Sequence, residues 1–384
     1  MNHDDRLDLS SMSSELTFLL DILSDGNLKT KKRDLTGLDW DLFLKLAMHH
    51  RVYPLLYAKV KNLDGIPLEV LQTLKNKTKE NTLQMLKLSA EIGQIGKVFE
   101  NNQIPLLFIK GPVLAAELYG DISLRTSKDL DLLISSADME KAEKLLQKLG
   151  YVKETFPSIL NEWKWRRQHI VFIHPQKHVI VEVHWKLEFP SGQVPSFQQL
   201  WERKRVSLVS NIPVYYLGEA DLFIYLITHG TRHGWFRLRW LLDVHQMIKR
   251  GLNIEEVSKY LKKYRGFRIG GLTLILLSEL LSTSIKDSWN FLLKRRDSHI
   301  LAQLVIHFIN RIGSLEEIYS MDEFYKFIKF SKLLNGSRIL KKAINCIYPS
   351  YKDAQTLRLP KSLYSLYFPL RPILVLTRKV RRDS

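Results

Sequence analysis

The sequence predicts an α+β fold: a small mixed-sheet core flanked by N-terminal helices and a larger C-terminal helical domain. Short apolar runs of strand character gather between residues 104 and 189, while helix-spaced apolar positions fill the chain on either side. Inside the core, Asp129-Leu130-Asp131-Leu132-Leu133 alternates acidic and apolar residues at its start. A strand there projects both carboxylates to one face and its leucines at 130 and 132 to the other. The expected division is an N-terminal helical region over 1–103, an α/β core over 104–210, and a helical domain with a basic tail over 211–384.

Residues 13–24 and 39–62 carry helix-spaced apolar positions, and Asp39 or Asp41 can cap the second segment. Gly65-Ile66-Pro67 then breaks the chain before a long helix from about Leu68 to Glu100. Leu71, Leu74, Leu83, Met85, Leu86, Leu88 and Ile92 supply its core stripe. Pro105 to Ile109 reads as a buried strand, Lys110-Gly111-Pro112 as a turn, and Val113 to Tyr119 as a helix. Gly111 lets the backbone approach a phosphate closely, and the free N–H groups at the helix start favour an anion.

The acidic strand follows, then a helix over Ala137 to Leu149 and strands near His169 to His174 and Val179 to Trp185. In the last strand Ile180, Glu182 and His184 share one face, opposite Val179, Val181, Val183 and Trp185. From Ile212 the pattern is helical: Asp221 to Thr231, Leu238 to Lys249, Ile254 to Tyr264, Leu272 to Leu281, and further helices to about 345. The stretch Thr228 to Asp243 gathers His229, Arg232, His233, Trp235, Arg237, Arg239 and Trp240. It suits a cap over a nucleotide, with aromatic faces for the base and cations for phosphates, and equally a packed pair of core helices. Leu363 to Leu376, interrupted by Pro369 and Pro372, reads as a strap across the surface.

Composition narrows the classes. With 384 residues, 45% of them apolar, the chain can bury a sizeable core. A single cysteine, Cys346, excludes an internal disulfide and fits a reducing cytoplasm. Met1 to Asp8 lacks a basic-then-apolar signal pattern, and no apolar run reaches the roughly 18 to 20 residues of a spanning helix, so a cytoplasmic chain without stable membrane insertion is expected. Lys and Arg number 58 against 40 Asp and Glu, a formal +18. That excess, seen at Lys29 to Arg33, Arg203 to Arg205, Lys262 to Arg265 and Arg378 to Arg382, suits a nucleic-acid partner or a set of solvated helix faces. No GxxxxGK[ST] loop, kinase catalytic loop or HExxH motif is present.

Two carboxylates on one face repel each other unless a cation lies between them. Mg²⁺, with Mn²⁺ as its substitute, relieves that repulsion and can hold a nucleoside triphosphate at the same time. Ile109-Lys110-Gly111-Pro112, Leu118-Tyr119-Gly120-Asp121, Arg125 and Asp129-Leu130-Asp131 together resemble the uncharacterised bacterial nucleotidyltransferase family of the DNA polymerase β-like superfamily. Val181-Glu182-Val183-His184-Trp185 and the run from His229-Gly230 through Trp235 to Asp243 are similar to that family's later blocks.

The resemblance implies Mg²⁺-dependent transfer of a nucleoside monophosphate from ATP or another NTP to an acceptor, with release of pyrophosphate. It implies Asp129, Asp131 and Glu182 as catalytic metal ligands, and Lys110, Gly111, Arg125, Ser127 and Lys128 around the nucleotide. His184, His233 and Arg237 are the further substrate-contacting candidates. The acceptor class stays open among RNA, protein, peptide and small molecule. Pro112 stands where the superfamily has a second glycine or a serine, and Glu182 where it has aspartate. These departures leave a second expectation: a catalytically weak nucleotide- or nucleic-acid-binding module, regulatory or antitoxin-like, on the same fold.

Overall fold

Seven strands hydrogen-bond into one mixed sheet in the computed structural model, which describes residues 6–24, 35–154, 169–190, 193–210, 212–312, 321–335, 349, 351–371, 373–374 and 377. They are β1 (Leu107–Phe108), β2 (Asp129–Leu133), β3 (Val152–Lys153), β4 (His169–His174), β5 (Val179–His184), β6 (Arg205–Ser207) and β7 (Val214–Tyr216). Their order is β3-β4-β5-β2-β1-β7-β6. The acidic strand β2 is therefore central, parallel to β5 on one side and antiparallel to β1 on the other. Cys346 and the basic runs Lys29 to Arg33 and Arg378 to Arg382 lie outside the described residues.

The sheet runs on past residue 210, because β7 pairs in parallel with β1 and β6 pairs with β7. Strands of three residues are too short to display an alternation, which is why the sequence offered no sign of them. Buried apolar side chains from Leu7 to Phe330 form one continuous cluster, so the flanking helices and the sheet share a core. Tyr367 and Leu374, in the expected surface strap, form a small separate cluster. No helix among the described residues is long and apolar enough to cross a membrane.

Before the sheet, α1 (Ser14–Leu23) is followed by α2 (Trp40–His49) and α3 (Tyr53–Val60), where the sequence reads as one helical segment over 39–62. The Asp39 carboxylate caps α2 by accepting from the Leu42 N–H at 2.9 Å. Arg51 ends it in the left-handed region at φ 56°, and Pro54 sits in the first turn of α3, where its missing N–H costs nothing. The turn so formed docks onto the start of a later helix: Leu238 N–H donates to His50 Nδ1 and Arg239 N–H to the His50 carbonyl, both at 3.3 Å.

The long helix α4 (Leu68–Asn101) buries Leu74, Asn81, Met85, Leu88, Ile92, Ile95 and Phe99, a face with the three-to-four spacing of a helix. Leu83 and Leu86, expected in that stripe, fall outside it and are 61% and 53% exposed. Two polar residues on α4 tie it to the sheet. The Asn81 amide donates to the carbonyls of Ser123 and Arg125 at 2.8 and 3.2 Å, fixing the segment that enters β2. Glu91 accepts from the Tyr151 hydroxyl at 2.7 Å and from the Lys177 ammonium at 2.6 Å.

Around the sheet lie α5 (Gly111–Tyr119), α6 (Met139–Lys148) and α7 (Phe197–Glu202). The C-terminal helices are α8 (Glu219–Arg232), α9 (Leu238–Lys249), α10 (Ile254–Lys263), α11 (Phe267–Leu281), α12 (Asn290–Leu293), α13 (Arg296–Ile309), α14 (Met321–Asn335) and α15 (Tyr351–Thr356). Between α8 and α9, Trp235 is fully buried at φ 54° and lies flat against Gly230, where an added Cβ would meet its ring at 2.5 Å. The basic run Arg203 to Arg205 is engaged within the fold: Arg203 pairs with Asp221 at 2.8 Å, Lys204 lies 4.2 Å from the Trp201 ring centre, and Arg205 lies 4.0 Å from Glu219.

Candidate active site

Register decides which side chains meet. In the parallel pair β2–β5, Asp131 stands opposite Glu182, Asp129 opposite Ile180 and Leu133 opposite His184. Because side chains alternate along both strands, Asp129, Asp131, Glu182 and His184 share one face of the sheet. The opposite face of β5 carries Val179, Val181 and Val183, all fully buried. In the antiparallel pair β4–β5, His169 stands opposite His184, adding a second imidazole whose ring centre is 4.9 Å from the first.

Contacts within this face are short and ionic. His184 Nε2 is 3.1 Å from Asp131 Oδ1 and 3.5 Å from Glu182 Oε2, while His169 Nε2 is 3.8 Å from Glu182 Oε2. The Lys110 ammonium lies 3.8 Å from Asp131 and 5.2 Å from the ring centre of Tyr225 on α8. Gly111, at φ 71°, makes that turn possible: a Cβ there would sit 3.4 Å from Leu130 and 3.7 Å from the Asp129 carbonyl. Thus the glycine's first use is to let the Lys110 turn pass close to β2.

The two aspartates are electrostatically unequal. Burial by itself would raise Asp131, but Lys110 and the hydrogen-bonded His184 outweigh it and hold this carboxyl below its usual range. Asp129 goes the other way: burial first, then the charges of Asp131 and Glu182, raise its pKa. His184 is raised despite burial, because Asp131 and Glu182 both accept from it. Lys110 is raised despite burial, chiefly by Asp131. One face therefore carries an Asp131 held between Lys110 and His184, beside an Asp129 for which burial and the neighbouring carboxylates outweigh the opposing charges of Lys110 and Arg239.

A cavity of about 390 Å³ opens over this face. Lys110, Asp131, His169, Glu182 and His184 form its sheet side, and Tyr225, His229 and Arg232 reach it from α8. Donor atoms of His169, Glu182 and His184 lie within 4.8 Å of one another, close enough to share a metal ion. On α8 the spacing Tyr225, His229, Arg232 is i, i+4, i+7, so one helix face delivers all three. Burial, followed by the charge of Lys110, pushes the His229 pKa well below its ordinary value and leaves that ring neutral.

Several expected site residues stand elsewhere. Arg125, expected to neutralise phosphates, is buried and donates through Nε and Nη2 to the two oxygens of Asp243, each at 2.9 Å. Tyr119 adds a third donor to the same carboxylate at 3.0 Å, so this guanidinium is held by the fold and faces no solvent. Ser127, expected to donate to a phosphate, is buried and donates to the Asp129 carbonyl at 3.1 Å. Lys128 is exposed just before β2. His233 stacks near His229 and Trp240, with ring centres 4.7 and 5.2 Å away, and does not line the cavity. Arg237 donates to the His49 carbonyl. Trp235 and Trp240 are buried and pack within the helix pair.

His169 and Tyr225 are among the cavity-lining residues the sequence reading passed over, with Glu154, Lys186 and Glu188. His169 was recoverable: the hairpin turn pairs His174 with Val179, and counting back five residues on each side puts His169 opposite His184.

A mixed sheet with acidic side chains gathered from two central parallel strands beside a glycine turn is the arrangement of a nucleotidyltransferase. Residues 36–282 match the family described as uncharacterised nucleotidyltransferase, and the chain belongs to that family. Among solved structures, it is similar to the solution structure of the antibiotic-resistance factor ANT(2'')-Ia, at 11% identity and a TM-score of 0.36, over 48% of this chain and 93% of that one. It is also similar to the crystal structure of an antigenic nucleotidyltransferase-like protein from Paracoccidioides brasiliensis, at 15% identity and a TM-score of 0.31, over 53% and 95%. No curated protein matches the chain.

Proposed function

We propose that this chain transfers a nucleoside monophosphate from an NTP to an acceptor hydroxyl in a divalent-metal-dependent reaction that releases pyrophosphate. The observation that carries the proposal is the pairing of Asp131 with Glu182 across parallel strands, with Asp129 on the same face. The donor set fits Mg²⁺ or Mn²⁺: three carboxylates crowd one face, and burial together with the charges of Asp131 and Glu182 raises Asp129, a cost that a hard cation relieves. Asp129, Asp131 and Glu182 would hold the ion, with His169 and His184 close to Glu182. A divalent cation bound there supplies charge neutralisation on the triphosphate and Lewis-acid polarisation of a phosphoryl oxygen.

The chain's own groups do the remainder. The acceptor oxygen attacks the α-phosphorus, a new P–O bond forms, the bond to the β-phosphate bridging oxygen breaks, and pyrophosphate leaves. Glu182 accepts the acceptor's proton, and His184, hydrogen-bonded to Asp131 and Glu182, orients that carboxylate. Lys110, anchored at Asp131, sets a positive charge beside the reacting phosphates. Tyr225 and Arg232 bound the cavity opposite the sheet and limit what enters.

Label position separates this reaction from its rivals. The wild-type chain is incubated with Mg²⁺ and, in parallel, with α- and γ-³²P-labelled NTPs, with total RNA, with cell extract or alone. We expect α-label on a macromolecule or small acceptor and γ-label only in pyrophosphate. γ-Label on the acceptor would mean phosphoryl transfer, and NTP binding without transfer in any fraction would favour a binding module on the same fold.

A further inference from the structure

Two imidazoles and one carboxylate meet on the face of β4 and β5 that looks into the cavity. His169 stands opposite His184 across the antiparallel ladder, and Glu182 lies two positions before His184 on β5, so alternation brings all three to one side. Glu182 Oε2 is 3.8 Å from His169 Nε2 and 3.5 Å from His184 Nε2. An ion bonded at about 2.1 Å by tetrahedrally arranged ligands holds neighbouring donors about 3.4 Å apart, so both distances lie close to a coordination edge. Among the described residues, these three form the one group of His, Cys, Asp and Glu donors gathered within 4.8 Å. Asp129 and Asp131 stand outside that group. The position is therefore separate from the one proposed for the cation of the NTP, although Glu182 serves both.

The backbone holds this arrangement firmly, yet the donors are reachable. β5 is hydrogen-bonded to β2 on one side and to β4 on the other, and its opposite face buries Val181 and Val183. The His169 side chain is 39% exposed, and all three residues line the cavity, so a further ligand can reach an ion held there from the cavity side. Donor chemistry then selects the ion. Mg²⁺ takes oxygen ligands and keeps most of its water, whereas imidazole suits the later first-row ions. Two histidines and one glutamate form a set that holds Zn²⁺ with one coordination position open.

We infer that His169, Glu182 and His184 form a Zn²⁺-selective site, and that an ion held there withdraws Glu182 and His184 from nucleotidyl transfer. The effect on transfer rests on the proposed reaction, in which Glu182 accepts a proton and His184 orients it; the metal chemistry rests on the three donors alone. A cation on Glu182 makes that carboxylate a poorer base. Coordination through His184 Nε2 also ends the contact of that nitrogen with Asp131 Oδ1, now 3.1 Å.

The test uses the full chain, untagged and stripped of metal by a chelator, titrated with Co²⁺, whose visible absorption is intense in four-coordinate sites and faint in octahedral ones. One equivalent of Co²⁺ is expected to give an intense band that Zn²⁺ bleaches stoichiometrically and millimolar Mg²⁺ leaves in place. His169→Gln is expected to weaken Co²⁺ and Zn²⁺ by at least the roughly 10- to 100-fold that losing even an outer partner of a metal ligand costs. His233→Gln, whose ring lies beside His229 and away from the cavity, is expected to keep the band, and so is Asp129→Asn. With Mg²⁺ and labelled NTP, Zn²⁺ is expected to stop transfer over the concentration range in which it bleaches the band, and to do so only at higher concentration in His169→Gln, relative to that variant's own zinc-free rate. A faint octahedral spectrum, displacement of Co²⁺ by an equal concentration of Mg²⁺, or a band untouched by His169→Gln would overturn the site. Loss of the band in Asp129→Asn would do so too, since the ion would then belong to the aspartates. Transfer at full rate with the site filled by Zn²⁺ would overturn the antagonism. A wild-type chain that binds Co²⁺ as expected but transfers no label with Mg²⁺ alone would count against the proposed reaction and leave the metal site standing.

Discussion

Asp131→Asn is expected to abolish nucleotidyl transfer while leaving the chain folded. Asparagine keeps the volume and one oxygen for the His184 hydrogen bond, now 3.1 Å long, but removes the charge that Lys110 and His184 surround. If that carboxylate is a ligand to the catalytic cation, its loss removes several kcal/mol of charge stabilisation in the transition state, or about a thousandfold in rate at roughly 1.4 kcal/mol per decade. A second readout is independent of turnover. Asp131 is the leading charged neighbour that raises Asp129, so in the variant the Asp129 carboxyl should titrate closer to its ordinary value, as ¹³C NMR of the labelled carboxyl would record. A variant retaining more than about a tenth of wild-type transfer would remove Asp131 from the chemistry.

Asp243→Ala is expected to be the most destabilising single change in the molecule that touches no expected catalytic group. It strips a fully buried guanidinium of both its hydrogen-bonding oxygens and leaves the Tyr119 hydroxyl without its acceptor. Breaking a buried pair from one side costs about 3–5 kcal/mol, because the remaining charge stays in the interior. The pair bridges α9 to the segment that enters β2, so the loss should also loosen Asp129 and Asp131. Replacing both partners, Arg125→Met with Asp243→Leu, removes the orphaned charge and should recover most of the stability. Urea unfolding of the three chains checks this ordering. If the double variant were stable but had lost all affinity for NTP, Arg125 would regain the phosphate role that its resemblance-based assignment gave it.

Much of the site was legible before the structure because it lies in strands. Period-two alternation assigns Asp129, Asp131, Glu182 and His184 to faces with no knowledge of the partner strand. What alternation cannot supply is register, and register is what sets Asp131 against Glu182 and His169 against His184. The long helices were equally plain, since α4 and α9 carry their spacing over three or more turns. The sequence failed where a residue's role depends on a distant partner. Nothing local distinguishes Arg125, which Asp243 claims across 118 positions, from Lys110, which reaches Asp131. Nor does the run from Thr228 to Asp243 reveal that its tryptophans turn inward while Arg237 reaches the end of α2 and Arg239 reaches Thr126 before β2. The short strands β3, β6 and β7 were invisible for want of length.

The most direct test of the proposed function is the location of the metal itself. Crystals of the wild-type chain grown with Mn²⁺ and an NTP analogue non-hydrolysable between the α- and β-phosphates allow anomalous scattering to place the ion independently of the phases. The expected result is a manganese peak about 2.0–2.3 Å from oxygens of Asp129 and Asp131, with an α-phosphate oxygen in its coordination shell and Glu182 on the acceptor side. A lone peak held by His169, Glu182 and His184, with the triphosphate elsewhere and β2 unliganded, would contradict the assignment of Asp129 and Asp131 as the nucleotide's metal ligands.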